Sequence, residues 1–492
     1  MKNFFAVDLG ATSGRTILAT FDGTRVQMQE VTRFANSMIP LGGHLYWDIA
    51  GLYNEVLRGL REVADKGIAI DSIGIDTWGC DFAFFGADGQ LLGMPHCYRD
   101  QHTVGAQEKF FEKMPAAEVY KRTGIQFMDF NSLFQLDTIR RNGGSALEAA
   151  DKILFIPDAL MYMLTGNAVC EYTVASTSQM LNPVTGDLDE DILRTLGIGR
   201  EKFGRMVQPG EVVGTLTPQV QEFTGLPAVE VIAVAGHDTG SAVAAVPAED
   251  EKYAYLSCGT WSLLGIETPD AIMNEESFRH NFTNEGGIEG TTRFLKNICG
   301  LWIFEQCRPE LKDAPENVAE LVALCETSSL DSLIDPDAQC FAHPSSMRAA
   351  IDAYCAETGQ AVPQTAGDYC RVIFRSLALR YRQVVDILRG FAPFPIERLH
   401  VIGGGSQNRY LMQYAADALE MPVICGPVEG TALGNVLVQI KSAGMVETLP
   451  QMRAISAASV SLKTYMPSGD GQWDSLYEEF VNIQKKYNNK TK

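Results

Sequence analysis

The sequence predicts an α/β protein of two domains, each a mixed sheet flanked by helices. Three observations carry this. Apolar runs of strand length alternate with stretches of helical period. The 492 residues exceed what one core ordinarily holds. A strand–glycine turn–strand pattern near the start, Phe5-Ala6-Val7-Asp8-Leu9-Gly10-Ala11-Thr12, returns as Ala254-Tyr255-Leu256-Ser257-Cys258-Gly259-Thr260-Trp261.

The elements follow in order. Phe4 to Asp8 reads as a buried strand and Thr16 to Phe21 as a second; the Asp22-Gly23 turn leads into a third, Arg25 to Arg33. Asp48 reads as an N-cap. Ile49, Leu52, Tyr53, Val56, Leu57, Leu60 and Val63 follow at helical spacing, and Gly67 closes the helix. Ile70 to Asp76 is a strand, and Phe82 to Phe85 with Asp88-Gly89 predicts a hairpin. A β-hairpin, strand, helix and strand in this order specify a mixed sheet. In the second half, Val229 to Ala235 reads as a strand and Tyr253 to Ser257 opens the second hairpin. The stretch from about Asp368 to Leu388 is an amphipathic helix. Leu399 to Ile402 is a strand broken at Gly403-Gly404-Gly405, with a helix from about Asn408 to Leu419. The lysine-rich tail after Gln484 reads as a frayed terminus.

Composition narrows the function. Hydrophobic residues make up 46% and charged residues 21%, a globular mix. A formal net charge of −21 repels phosphate backbones and anionic lipid, which argues against nucleic acid or membrane as a partner. The opening MKNFFAVDLG lacks the apolar core of a signal peptide, and the run Ala159 to Leu164 is too short to span a bilayer. Eleven cysteines stand singly, as expected of reduced thiols in a cytoplasmic protein; a pairing of Cys355 with Cys370 stays open.

Several motifs carry chemistry. In Asp8-Leu9-Gly10-Ala11-Thr12-Ser13-Gly14-Arg15 a carboxylate ends a strand, and two glycines permit a tight turn whose N–H groups can face phosphate oxygens. Thr12 and Ser13 add hydroxyls, Arg15 a charge, and Asp8 can hold a magnesium ion. An ordinary hairpin with Asx-turn chemistry fits the same residues. Gly236-His237-Asp238-Thr239-Gly240 places a carboxylate after an apolar strand and before a small-residue helix, where Asp238 can accept a hydroxyl proton or serve as an N-cap. Gly403-Gly404-Gly405-Ser406-Gln407-Asn408 is a strand-to-helix turn open to close approach. The run Cys425 to Gly434 is rich in small residues, as close helix packing requires. Asp76-Thr77-Trp78-Gly79-Cys80-Asp81 sets two carboxylates beside an indole, a common way to hold a polyol; Tyr98-Arg99-Asp100 is a second polar cluster. A surface loop is the alternative for each.

Taken together and in this order, these motifs resemble the FGGY carbohydrate kinases. Ile73 to Gly79, Tyr98-Arg99-Asp100, Thr123 to Phe127 and Thr283-Asn284-Glu285-Gly286-Gly287 resemble the branch of that family acting on L-rhamnulose. The resemblance runs from about Ala6 to Thr464. It implies two actin-like domains of ribonuclease-H-like fold with an interdomain cleft: residues 1–245 for sugar and 246–492 for nucleotide. It implies ATP and Mg2+ as cofactors, and phosphorylation of a ketose at its 1-hydroxyl, L-rhamnulose first, with L-fuculose or xylulose as alternatives. Asp238 would be the catalytic base and Asp8 would act on the metal. Ala11, Thr12, Ser13, Gly14, Arg15, Gly259, Thr260, Glu305, Gly403 and Gly404 would hold nucleotide. Asp76, Thr77, Gly79, Asp81, Asp100, His237, Asp238, Thr239 and Asn297 would hold sugar. Two positions depart from the family pattern: Gln135 stands where many members carry lysine, and Glu305 where a glutamine is expected. A non-catalytic actin-like sugar sensor or filament subunit is the alternative of a different class; it would not need Asp238 as a base.

Overall fold

The computed structural model describes residues 1–312, 314–342 and 344–491. The chain forms two compact units. The first comprises Met1–Glu249, Glu267–Leu295 and Gly430–Val460; the second comprises Asp250–Ile266, Lys296–Glu429 and Ser461–Lys492. The expected single division at 245/246 lies close to the first crossing, but the chain afterwards returns to the first unit twice.

The first unit is built on a six-stranded sheet. Its order is Val212–Thr215, Glu230–Ile232, Ser72–Thr77, Lys2–Leu9, Ser13–Phe21 and Val26–Ala35. Lys2–Leu9 pairs antiparallel with Ser13–Phe21 and parallel with Ser72–Thr77, so Asp8 lies opposite Arg15 on one side and Asp76 on the other. Alternation along the strand sorts the side chains. Phe5, Val7 and Leu9 enter one core with Ile73 and Ile75, beneath the helix Ile49–Asp65. Phe4 and Ala6 enter another with Val234, Leu433 and Val436. Asp48 caps the helix Ile49–Asp65 by accepting from Gly51 N at 2.9 Å. Ile49, Leu52, Val56, Leu60 and Val63 form its buried face, each worth roughly 1.5–3 kcal/mol.

The helix Gly430–Ser442 covers the second core. Its Gly434 lies against Ser241 O of the helix Asp238–Ala244, where a Cβ would collide with the backbone. The small residues between Cys425 and Gly434 thus meet their expected use at this position.

In the second unit, Tyr253–Cys258 pairs antiparallel with Trp261–Thr268 and parallel with Arg398–Ile402; Val423–Cys425 and Lys463–Tyr465 continue the order. The arrangement repeats that of Lys2–Leu9, so the likeness seen at the two glycine turns extends to the pairing of the strands that carry them. The long amphipathic helix is Ala366–Phe391, opened by a Thr365/Asp368 capping box.

Four expectations are corrected. Phe82–Phe85 forms its ladder with Lys152–Phe155; across the Asp88-Gly89 turn the expected hairpin is only a short one, a bridge from Phe85 to Leu91 flanked by Gly86 N on Gln90 O and Leu92 N on Phe84 O. The strand expected from Val229 to Ala235 is confined to Glu230–Ile232, because Ala233 exchanges hydrogen bonds with Gly210 and Glu211. Asp238 is neither strand end nor N-cap: it is the first residue of its helix, and His237 is the cap. The tail is not frayed but lies in the helix Trp473–Thr491, with Lys490 Nζ on Glu357 O at 2.5 Å. All eleven cysteines are free, Cys355 and Cys370 among them. Among the described residues, no helix is long and apolar enough to cross a membrane.

Candidate active site

In the first unit the site begins at the C-terminal ends of two parallel strands. Asp8 and Asp76 are register partners, so their side chains project on the same face. Asp76 is fully buried. One of its oxygens accepts from Asn435 Nδ2 at 2.6 Å; the other has no hydrogen-bond partner among the described residues. Burial first, and then the Asp8 and Asp238 carboxylates, push the Asp76 carboxyl well above the usual range, against the pull of Asn435. Asp8 is held by Arg15, with Nε at 3.0 Å and Nη2 at 2.6 Å. The glycine turn itself is tied from behind: Gly10 N donates to Ser13 O, and Asn36 meets Thr12 O through its N–H and Gly10 O through its side-chain amide. Thr12 and Ser13 are exposed.

His237 and Asp238 arrive from the turn after Glu230–Ile232. Glu171, fully buried, anchors this turn: it accepts from Gly236 N at 3.0 Å, Thr173 Oγ1 at 2.7 Å and Val174 N at 2.9 Å. Glycine suits position 236, since a Cβ there would lie 2.9 Å from the Glu171 carboxylate and displace it. Thr173 Oγ1 receives His237 N at 3.2 Å. The His237 ring is buried, with Nδ1 3.2 Å from both Glu285 Oε2 and Arg293 Nη2, and Nε2 3.4 Å from Asp238 Oδ1. Glu285 and Arg293 form a buried ion pair at 3.0 Å whose angles do not suit a hydrogen bond. Burial raises the Glu285 pKa, but Arg293 and then His237 outweigh it and hold the carboxyl below its ordinary value. The Asp238 side chain keeps 32% of its surface exposed, which sets it apart from the buried groups around it. Thr239 Oγ1 donates to it at 3.1 Å.

The remaining predicted residues divide between networks. Thr77 is fully buried and donates to Trp78 O, and Gly79 packs against Thr177. Asp81 is completely buried and accepts from Trp47 Nε1 (2.6 Å), Trp78 Nε1 (2.9 Å), Gln135 Nε2 (2.8 Å) and Tyr98 N (3.1 Å). This segment is therefore no surface loop. Burial raises Asp81 to about 6, with the four donors opposing it. Asp100 is buried and accepts from Leu45 N and from the imidazoles of His44 and His102.

The second unit carries the other set. Gly259 and Thr260 form the hairpin turn; Gly259 N donates to Trp261 O, and Leu301 N and Trp302 N donate to Gly259 O and Thr260 O. That contact starts the short helix Trp302–Cys307, where Glu305 pairs with Arg308 at 2.9 Å. Gly403 has φ +88°, and a Cβ there would sit 2.9 Å from Cys258 O, so only glycine suits this end of Arg398–Ile402. Gly404 has open space around it. Asn297 lies on the strand Thr292–Cys299.

Comparison with known proteins decides the family. Residues 4–245 match the FGGY family of carbohydrate kinases, N-terminal domain, and residues 254–443 match its C-terminal domain. The chain belongs to the FGGY carbohydrate kinases. A similar FGGY protein, the rhamnulokinase of Bacteroides thetaiotaomicron, is 56% identical over 98% of this chain and 99% of its own. The rhamnulokinase of Pectobacterium atrosepticum is 40% identical over 99% and 97%. Among solved structures, ligand-bound xylulose kinase from Lactobacillus acidophilus covers 99% of this chain and 98% of its own, at TM-score 0.82 and 16% identity. Plasmodium falciparum glycerol kinase with ADP covers 100% and 98%, at TM-score 0.78 and 15% identity. This FGGY chain is thus a sugar kinase with the two-domain α/β fold of its family.

Glu285, Arg293 and Glu171 were not among the residues singled out from the sequence for the site. The signal for Glu285 was present in Thr283 to Gly287, a carboxylate beside two glycines, but nothing local marks its partner Arg293.

Proposed function

We propose that this kinase transfers the γ-phosphoryl group of ATP to the 1-hydroxyl of L-rhamnulose, with Asp238 as the base. Two full-length rhamnulokinases at 56% and 40% identity support the substrate. The observation that carries the chemistry is one partly exposed carboxylate, Asp238, beside the buried pair Asp8 and Asp76. An all-oxygen donor set with an unpartnered buried oxygen on Asp76 suits Mg2+, which favours carboxylate and phosphate oxygens. Asp8 and Asp76 would hold the ion, directly or through water. When bound, it neutralises charge on the transferring phosphate.

The residues of the chain do the rest. Asp238 accepts the hydroxyl proton as the oxygen attacks phosphorus, assistance typically worth about 10²–10⁴-fold. Glu285 and Arg293 fix the His237 ring, and His237 orients the sugar beside Asp238. The turn Gly10 to Arg15 and the turn at Gly259 and Thr260 offer N–H and hydroxyl donors to phosphate oxygens, and Gly403 and Gly404 leave space beside adenosine. Gly79, Thr239 and Asn297 are contacts proposed for the sugar. Asp81 and Gln135 shape the site from behind.

ADP release across L-rhamnulose, L-fuculose, xylulose and glycerol tests this reading. The highest kcat/KM is expected with L-rhamnulose. A higher value for another acceptor would reassign the substrate, and sugar binding without ADP release would favour a sensor.

A further inference from the structure

A second cluster of ligating groups lies in the first unit. The hairpin of Met38–Leu41 and His44–Trp47 runs beside the segment Pro95–Cys97: Trp47 N donates to Pro95 O and Cys97 N to Leu45 O, both at 2.9 Å, with a bridge between Tyr46 and His96. This register brings His44 and His96 together, with ring centroids 5.4 Å apart. Asp100 caps the turn Gln101–Thr103 and projects onto the same spot. Its Oδ1 lies 3.0 Å from His44 Nδ1, about the separation of two neighbouring ligands around one ion. One ligating atom from each of His44, His96 and Asp100 fits within a 4.8 Å span.

The support behind this cluster is built as metal centres require. His102 Nδ1 donates to Asp100 Oδ1 at 2.8 Å, and Leu45 N holds Oδ2 at 2.5 Å, so the carboxylate is fixed from two sides. His96 Nδ1 is buried without a hydrogen-bond partner among the described residues, an unusual state for a ring nitrogen. His44 keeps 45% of its side chain exposed, which gives an entry path from solvent.

We propose that His44, His96 and Asp100 form a binding site for a divalent transition cation. Two imidazole nitrogens and one carboxylate oxygen suit Zn2+, Co2+ or Ni2+, whereas Mg2+ and Ca2+ prefer all-oxygen shells. Three protein ligands leave a position for water. The ion would clamp the hairpin to the turn that carries Asp100. Asp100 already holds both through Leu45 N and His102 N, so the fold survives without metal.

The test is a Zn2+ titration of untagged, EDTA-treated full chain by calorimetry, with Co2+ absorption as a second probe. One site per chain is expected. His44→Ala and His96→Ala should each weaken it at least about a hundredfold, and His102→Ala by about 10–100-fold as a positioning residue. Asp8→Asn should leave it unchanged, which separates this site from the carboxylates of the kinase site. Circular dichroism in EDTA checks that the variants fold; His44→Ala, being exposed, keeps the test open if His96→Ala fails. Absence of stoichiometric binding, unchanged affinity in His44→Ala, or loss of binding in Asp8→Asn would each overturn the proposal.

Discussion

Asp238 and Asp81 are the same residue type, and their surroundings separate their work. Asp238 is partly open; Asp81 is sealed beneath two indoles and an amide. Asp238→Asn is expected to bind ATP and sugar nearly normally, yet transfer at least about a hundredfold more slowly. His237→Ala should mainly raise the sugar KM. Intact binding by calorimetry with near wild-type turnover in Asp238→Asn would refute the base assignment. For Asp81 the expected readout is stability. Burial raises its folded pKa to about 6, above the ordinary 3.8 of an aspartate. The native state therefore binds more protons there, and stability falls as pH rises from about 4 to about 6. Two pKa units correspond to about 3 kcal/mol. Asp81→Asn removes this slope, so urea midpoints should move in favour of the variant across that window; parallel pH profiles would contradict it. Asp8, Asp76 and Asp238 stood out in the sequence because each sits beside glycine or hydroxyl residues, Asp8 and Asp76 near strand ends and Asp238 at the start of a small-residue helix. Arg293 was not, because an arginine within a strand announces nothing until its buried partner Glu285 is known.

Among the elements, Asp238–Ala244 depends on its neighbour. Gly434 of the helix Gly430–Ser442 touches Ser241 O so closely that a methyl group cannot enter without backbone movement. Gly434→Ala should cost about 1–3 kcal/mol as overpacking, read as a lowered urea midpoint. It should also disturb turnover, because the displaced helix begins at Asp238. Unchanged stability would mean the two helices separate freely. The helices at 49, 366 and 409 were readable because cap and period agree within each segment. The partner of Phe82–Phe85 was not. The Asp88-Gly89 turn is real, but Lys152–Phe155 supplies the fuller ladder, and pairing across that sequence separation leaves no local mark. The last helix was masked by its lysines, whose ammonium groups reach carbonyl oxygens of Thr358 and Glu357.

Over the whole molecule, charge and chain path matter most. A net charge of −21 opposes the approach of an anionic nucleotide over a distance set by salt. The Debye length falls from about 30 Å at 0.01 M to about 8 Å at 0.15 M. The kcat/KM for MgATP should therefore rise over that range, while that for a neutral sugar stays flat. A fall with salt would point to a local basic field that overrides the net charge. The two-part organisation was legible from length and from the repeated glycine hairpin. The return of residues 267–295 and 430–460 to the first unit was not, since only packing assigns them.

The eleven free thiols, nine of them buried, give the protein a set of internal clocks. A buried thiol reacts with a water-soluble reagent only when its surroundings open, so each rate measures the opening of one region. Cys258 lies against Gly403 and Gly405, and burial raises it to about 11, which keeps it as unreactive thiol at neutral pH. Its modification would time the loosening of the glycine turn after Arg398–Ile402. A nucleotide resting on that turn would slow this one clock and leave that of Cys170, buried in the first unit, running at its own pace.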